Sequence, residues 1–181
     1  MKKILTALLL SAAIFTNINA QSDMAVGAGL VVSLPMGNFG DAANLGIGGT
    51  AAFELKFAPQ ITGVGHIGYI SYGTESEAVS YSTVPLLVGV KYFFQPNGGV
   101  YGIGQLGLNF FSTTVETPSY EIFGSSFGGS YSASSSEFTL ALGAGYEMPI
   151  SSNWIFDVSG AFNIISDFTN IQLRAGVKTG I

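Results

Sequence analysis

The chain has 181 residues, of which 48% are hydrophobic and only 9% are charged, and its formal net charge is −5. An ordinary globular domain carries about 25% charged residues, so this composition disfavours a typical soluble domain. The absence of cysteine excludes a disulfide framework and thiolate metal sites, and the excess of acidic residues argues against nucleic-acid binding.

The N-terminal residues have the pattern of a secretory signal. A positive "MKK" precedes the apolar run "ILTALLLSAAIF", and "NINA" ends in a small residue before Gln21. Twelve apolar residues are too few for a transmembrane helix, which needs about 17–25. The pattern predicts a cleaved signal peptide over 1–20 and a mature domain over 21–181. The mature domain would hold four cations and eleven acidic residues, a net charge of −7.

Segments rich in Val, Ile, Phe, Tyr and Gly recur along the mature chain, with turn sequences between them. Their length and composition predict β-strands, and no helical period runs through them. The predicted strands are 24–34, 46–57, 61–72, 83–94, 99–113, 136–148, 153–164 and 169–181.

The connections between these segments alternate in length. Short ones fall at 58–60, 95–98 and 149–153, and longer ones at 35–45, 73–82 and 114–135, with a briefer connection at 165–168 on the same side. Short turns at one end and long loops at the other are typical of a transmembrane β-barrel. The sequence therefore predicts an all-β fold, an eight-stranded antiparallel transmembrane barrel in an up-and-down meander.

Side-chain alternation indicates which face of each strand meets lipid. In the last segment Leu173 and Val177 alternate with Arg174 and Lys178, and successive side chains of a strand point to opposite faces. A water-soluble barrel of the lipocalin type would enclose the apolar face. Here the polar faces carry glycine and small residues while the apolar faces carry bulky side chains, which favours apolar groups outside and polar groups in the lumen.

Charged residues of the strands share the predicted inner faces. Mutual pairing in a narrow, filled lumen predicts an internal ion-pair plug. The alternative is a gated path for ions or protons. The predicted lumen network comprises Glu54, Lys56, Lys91, Glu137, Glu147, Asp157, Arg174 and Lys178.

Aromatic residues near the short turns predict a girdle at the membrane interface, where amphipathic rings are favoured, with core packing as the alternative. The predicted girdle comprises Phe57, Tyr92, Tyr101, Tyr146 and Trp154.

Two features suggest chemistry only weakly. "GIGQLG" at 102–107 matches a dinucleotide pattern but lies inside a predicted strand rather than between a strand and a helix. His66, the only histidine, has no serine in a distinctive setting beside it and is predicted to be an ordinary lumen residue. We therefore predict no enzyme activity, no catalytic residue, no cofactor and no metal site.

The stretches "VPLLVGVKYFF", "GGVYGIGQLGLNFF", "FTLALGAGYEMPI" and "IQLRAGVK" resemble the small eight-stranded outer-membrane barrels of Gram-negative bacteria, the porin-like class with OmpX- and OmpW-like proteins. The resemblance implies a protein of outer-membrane lipid, delivered by periplasmic chaperones and inserted by the barrel-assembly machinery, but it indicates no particular function. Our leading hypothesis is a monomer with a structural or surface-interaction role. The alternatives are a narrow channel or transporter for small or apolar solutes and an accessory part of an envelope secretion apparatus.

Overall fold

A computed structural model describes residues 24–41, 43–74, 79–96, 98–116, 120–122, 125–127, 129–166 and 168–181. The predicted signal peptide lies outside these residues and stays a prediction. No helix in the described part of the chain is long and apolar enough to cross a membrane. The strands are β1 (Met24–Met36), β2 (Gly46–Ala58), β3 (Ile61–Tyr72), β4 (Val79–Phe93), β5 (Val100–Glu116), β6 (Tyr120–Ile122), β7 (Ser125–Phe127), β8 (Ser130–Pro149), β9 (Trp154–Ile165) and β10 (Phe168–Gly180).

The eight long strands form a closed barrel in the order β1-β10-β9-β8-β5-β4-β3-β2. Every pair of neighbours is antiparallel, and β1 closes the barrel on β10 from Ala25↔Gly180 to Met36↔Thr169. The short strands β6 and β7 form a separate hairpin within the connection from β5 to β8. The predicted eight-stranded antiparallel meander is confirmed.

The connections divide the barrel into two ends. Segments 59–60, 94–99 and 150–153 join strands at what we call the short-turn end. At the other, long-loop end lie 37–45, which contains a 3-10 helix at Gly37–Phe39, and the segments 73–78 and 117–129. Only 166–167 separate β9 from β10 there.

The barrel is polar inside and apolar outside. Leu30 and Leu142 on the outer surface are 70% and 55% exposed, whereas Lys91 in the lumen is 1% exposed. Large apolar side chains on the outer surface occur on all eight long strands. The period of two places the intervening polar side chains in the lumen, as predicted.

Strand β8 extends beyond its neighbour β9 at the long-loop end. It pairs with β5 along its whole length, from Glu116↔Ser130 to Val100↔Tyr146. Its pairing with β9 begins only at Thr139↔Ile165. Residues 130–138, which we call the free edge of β8, therefore have no β9 partner at the long-loop end.

A layered lumen as the candidate functional site

Five charged side chains meet in the half of the lumen nearer the short-turn end and form what we call the ionic layer. They come from β2, β4, β8, β9 and β10, so the layer draws on strands all around the wall. Each belongs to the inward face of its strand, which the period of two fixes. The ionic layer comprises Glu54, Lys91, Glu147, Asp157 and Lys178.

Lys91 is the hub of the ionic layer. Its Nζ lies 2.6 Å from Glu54 Oε1, 3.0 Å from Glu147 Oε1 and 2.6 Å from Asp157 Oδ2. An ammonium group has three donors, so all three are used. Lys178 Nζ lies 2.6 Å from both Glu54 Oε2 and Glu147 Oε1. Tyr101 adds a hydrogen bond from its hydroxyl to Asp157 Oδ1 at 2.7 Å and places its ring 4.5 Å from Lys91 Nζ.

A second group, the arginine layer, comprises His66, Gln105, Gln172 and Arg174. Arg174 donates to Gln105 Oε1 at 3.1 Å and to Gln172 Oε1 at 2.8 Å, and its Nη1 lies 3.4 Å from His66 Nδ1. Its Nε is buried without a protein partner among the described residues. The ionic layer has three carboxylates against two ammonium groups, so the Arg174 charge balances the lumen across the two layers.

Little open space remains between these two layers. A cavity of about 40 Å³ lies among side chains that include His66, Asp157 and Arg174. A buried water needs a cavity of about 10–15 Å³, so this space admits a few waters at most. Further along the lumen, Asn109 links Thr83 and Thr139, and Asn163 donates to Asn170 at 2.7 Å. Between the two ends, the lumen is occupied largely by hydrogen-bonded polar side chains, with buried apolar side chains such as Leu87 and Ile103 among them.

The remaining predicted network residues lie apart from the ionic layer. Lys56 is exposed and lines a cavity of about 390 Å³ at the short-turn end, and it takes part in none of the ion pairs found in the described part of the chain. Lys56 keeps the register of β2 opposite the buried Thr62, and the register irregularity follows it, between Lys56 and Ala58. Glu137 is half-buried opposite Asn109 and also forms no such pair. Arg174 binds amides rather than carboxylates.

Four of the five predicted girdle residues lie on the outer surface near the short-turn end: Phe57, Tyr92, Tyr146 and Trp154. The fifth prediction is wrong, because Tyr101 is buried in the lumen and is 1% exposed. The period of two explains the error. Tyr101 shares its face with Ile103 and Gln105, which are also buried, so strict alternation would have assigned it to the lumen.

An aromatic layer lies at the long-loop end of the lumen and was not predicted from the sequence. Phe39, from the short 3-10 helix, packs among rings of four strands and lies over the buried side chains Val31 and Ile70. The only sequence signal is one large apolar residue in the glycine-flanked loop "MGNFGD". The layer comprises Phe39, Tyr72, Tyr81, Phe111 and Phe168.

The ionic layer holds paired charges rather than an open ligand site. The carboxylate oxygens of Glu54, Glu147 and Asp157 lie within 4.8 Å of one another, a spacing that suits a cation. Lys91 and Lys178 already place their ammonium groups against these oxygens. His66 is held by Gln105, whose Nε2 lies 2.7 Å from Nδ1. The "GIGQLG" glycines lie within β5, as predicted, and not at the start of a helix.

Comparison with known proteins supports the fold. No protein-family model and no curated protein sequence matches the chain. Its structure is similar to that of Ail, the attachment invasion locus protein of Yersinia pestis, with a TM-score of 0.63, 16% identity and coverage of 90% of this chain and 100% of Ail. A structure of Ail in a phospholipid bilayer nanodisc gives a TM-score of 0.54 and 15% identity, and the match covers 89% of this chain and 100% of that one. Neisserial surface protein A gives a TM-score of 0.56 and 14% identity, and the match covers 88% of this chain and 98% of that one. The predicted likeness to small eight-stranded outer-membrane barrels is confirmed as a likeness of fold.

Proposed function

We propose that this protein is a monomeric outer-membrane barrel that acts at the cell surface through the free edge of β8 and does not conduct solutes. The apolar outer wall suits hydrocarbon, where a closed barrel leaves no backbone group unpaired. The long-loop end would face the outside and the short-turn end the periplasm, as in barrels of this class. Such a barrel would be exported by the predicted signal peptide and delivered and inserted by chaperones and the barrel-assembly machinery.

The free edge of β8 is the observation that carries the surface role. An edge strand presents unpaired N–H and C=O groups that pair readily with another chain, and proteins commonly protect such edges with lysine, proline or a bulge. Residues 130–138, "SYSASSSEF", contain neither lysine nor proline. The pairing with β5 keeps one constant register along this stretch, so no bulge interrupts it. The edge therefore suits β-strand addition by an extended peptide.

Charge indicates the kind of partner. The four cations of the mature chain lie in the lumen or at the short-turn end. The connections at the long-loop end carry acidic residues in the sequence, among them Asp41, Glu75 and Glu77. The partner would thus be a basic, extended polypeptide segment. A second Ail structure contains the heparin analogue sucrose octasulfate, but the acidic long-loop end of this chain disfavours such a polyanion.

A second copy of the chain in the same membrane is a poor partner for this edge. Both copies would run β8 in the same direction, from the long-loop end to the short-turn end, so antiparallel pairing is not available. Barrel strands tilt by about 35–45°, so two β8 edges related by a twofold axis along the membrane normal would cross rather than align. This geometry supports a monomer that binds a different chain.

The test uses the pattern of N–H groups along β8. Glu147 donates its N–H toward β5, to Gly99 O at 3.0 Å. Alternate residues of a strand direct their N–H groups to the same side, so residues 132, 134 and 136 direct theirs to the free edge. Ser134→Pro would remove one edge-facing donor while leaving the ladder to β5 intact, whereas Ser134→Ala keeps the donor.

The probe is a fluorescent octapeptide of alternating lysine and valine, titrated against the protein in lipid nanodiscs with anisotropy as the readout. We expect wild type and Ser134→Ala to bind equally and Ser134→Pro to lose binding. Failure of the wild type to bind, or equal binding by the proline variant, would contradict the proposal.

The ion pairs that cross the lumen between strands support the absence of conduction, with the ionic layer as the plug. Single-channel recording of the protein in planar bilayers tests this directly. We expect no steady conductance. Steady ion-selective steps would instead favour the alternative of a narrow channel.

A further inference from the structure

The ring of Phe39 spans the lumen at the long-loop end. Its centroid lies 4.6 Å from that of Phe168 on β10 and 5.9 Å from that of Tyr81 on β4. In the order of the eight strands around the barrel, β4 and β10 are four positions apart and therefore lie on opposite walls. Tyr72 and Phe111 flank the ring at 5.2 and 6.2 Å.

The chain on either side of Phe39 is fixed by hydrogen bonds among the described residues of the connection, 37–41 and 43–45. Gly40 N donates to Gly37 O at 2.8 Å, and Ala43 N donates to Phe39 O at 2.9 Å. Asn44 N donates to Gly73 O, which ties the connection to the end of β3. Gly37 turns the chain with a φ of 66°, a conformation that glycine adopts readily.

The layer beneath the ring is buried and mainly apolar. Val31 and Ile70 are fully buried, and Tyr72 donates to or accepts from Ser33 Oγ at 3.0 Å. Below it, toward the ionic layer, the lumen holds the hydrogen-bonded side chains of Asn109, Gln105 and Arg174 together with the buried apolar side chain of Leu87. A constriction of apolar side chains excludes water and ions.

We propose that Phe39 is a hydrophobic lid that closes the lumen at the long-loop end, as a barrier separate from the ionic layer. The two barriers lie at opposite ends of the lumen and share no residue. The lid is formed by a connection rather than by the wall, so it can be displaced without breaking the strand ladder. This inference goes beyond the proposed surface role and does not depend on it.

The chain contains no cysteine, so a single introduced cysteine reports access at one site. Ser33→Cys places a thiol directly beneath the lid, because Ser33 is fully buried in the lumen. The protein in nanodiscs is treated with a charged methanethiosulfonate reagent, and the labelling rate is followed by mass spectrometry. Ser132→Cys, in an exposed stretch of the free edge, gives the rate for open access.

We expect Ser33→Cys to label slowly when Phe39 is present and at least an order of magnitude faster when Phe39→Ala is added. Phe53→Ala is the matched control, because Phe53 lies on the outer wall and its removal leaves the lid intact. Benzene added to the Phe39→Ala protein should fill the vacated ring site, as small apolar molecules fill engineered apolar cavities, and slow the labelling again.

An unchanged rate in the Phe39→Ala background would overturn the lid. A rate raised equally by Phe53→Ala, or one that benzene does not lower, would show general loosening of the barrel and would also overturn it. Fast labelling of Ser33→Cys with Phe39 in place would show that the lumen is open. Thr62→Cys, buried near the short-turn end, should be unaffected by Phe39→Ala, so a failure of the lid is distinguishable from a leak through the ionic layer.

Discussion

Replacement of Lys91 by methionine tests whether the ionic layer stabilises the barrel. The change keeps a long side chain but removes the ammonium group that contacts Glu54, Glu147 and Asp157 at 2.6, 3.0 and 2.6 Å. Glu54 and Glu147 keep Lys178, whereas Asp157 loses its lysine and keeps only the Tyr101 hydroxyl among its contacts in the described residues. Removal of one partner of a buried ion pair costs about 3–5 kcal/mol, and we expect a loss of stability in that range.

The assay is urea unfolding in lipid vesicles, followed by the fluorescence of Trp154, the only tryptophan. Lys56→Met is the matched control, because Lys56 is exposed and forms none of the ion pairs in the described part of the chain. Asp157→Asn combined with Lys91→Met restores the charge balance of the lumen and should recover much of the stability. The coupling energy expected from the double-mutant cycle is about 2 kcal/mol. A Lys91→Met protein within about 0.5 kcal/mol of wild type, the range of an ordinary surface change, would refute this reasoning.

Three further predictions concern the wall and the lid. A methyl group on Gly89 would collide with the carbonyl oxygen of Gly104, whereas one on Gly102 would meet no atom within 4 Å. Gly89→Ala should therefore lower the urea midpoint, and Gly102→Ala should leave it unchanged. Equal midpoints for the two variants would contradict the close strand packing. Leu142→Arg in the middle of the apolar band should cost about 2–4 kcal/mol in the same assay, and Met148→Arg near the short-turn end about 0–1 kcal/mol; equal costs would argue against a lipid-facing band. Gly37→Ala places a residue with a side chain at a φ of 66°, which costs about 1–2 kcal/mol. Ser33→Cys should therefore be labelled faster in that background. An unchanged labelling rate would show that the turn does not hold the lid.

Strand number, polarity and most inward positions follow from the sequence, because a period of two combined with bulky outward residues determines them locally. The ends of strands are less predictable. β4 begins at Val79 and β8 at Ser130, both earlier than predicted. The start of β8, "SYSASSSE", has no apolar alternation and becomes a strand only by pairing with β5. The free edge of β8 depends on where β9 ends, and that end is a property of the assembled barrel.

The candidate site was predictable in part for the same reason. The sequence places Lys91, Glu147 and Asp157 on inner faces, but their mutual contacts depend on strand register around the barrel. Lys56 keeps the predicted lumen face, opposite the buried Thr62, but it lies at the mouth of the lumen beside the cavity of the short-turn end, where it is exposed. Phe39 lies in a connection, where no periodic signal exists, and only the fold shows that it reaches across the lumen.

The outward orientation of the apolar side chains is tested most directly by fluorescence quenching in lipid. A Leu142→Trp variant in a Trp154→Phe background has one tryptophan, at the centre of the proposed lipid-facing band. In vesicles of lipids brominated on their acyl chains, its emission should be blue-shifted and strongly quenched, and aqueous acrylamide should have little effect. Strong quenching by acrylamide with none by brominated lipid would contradict the account.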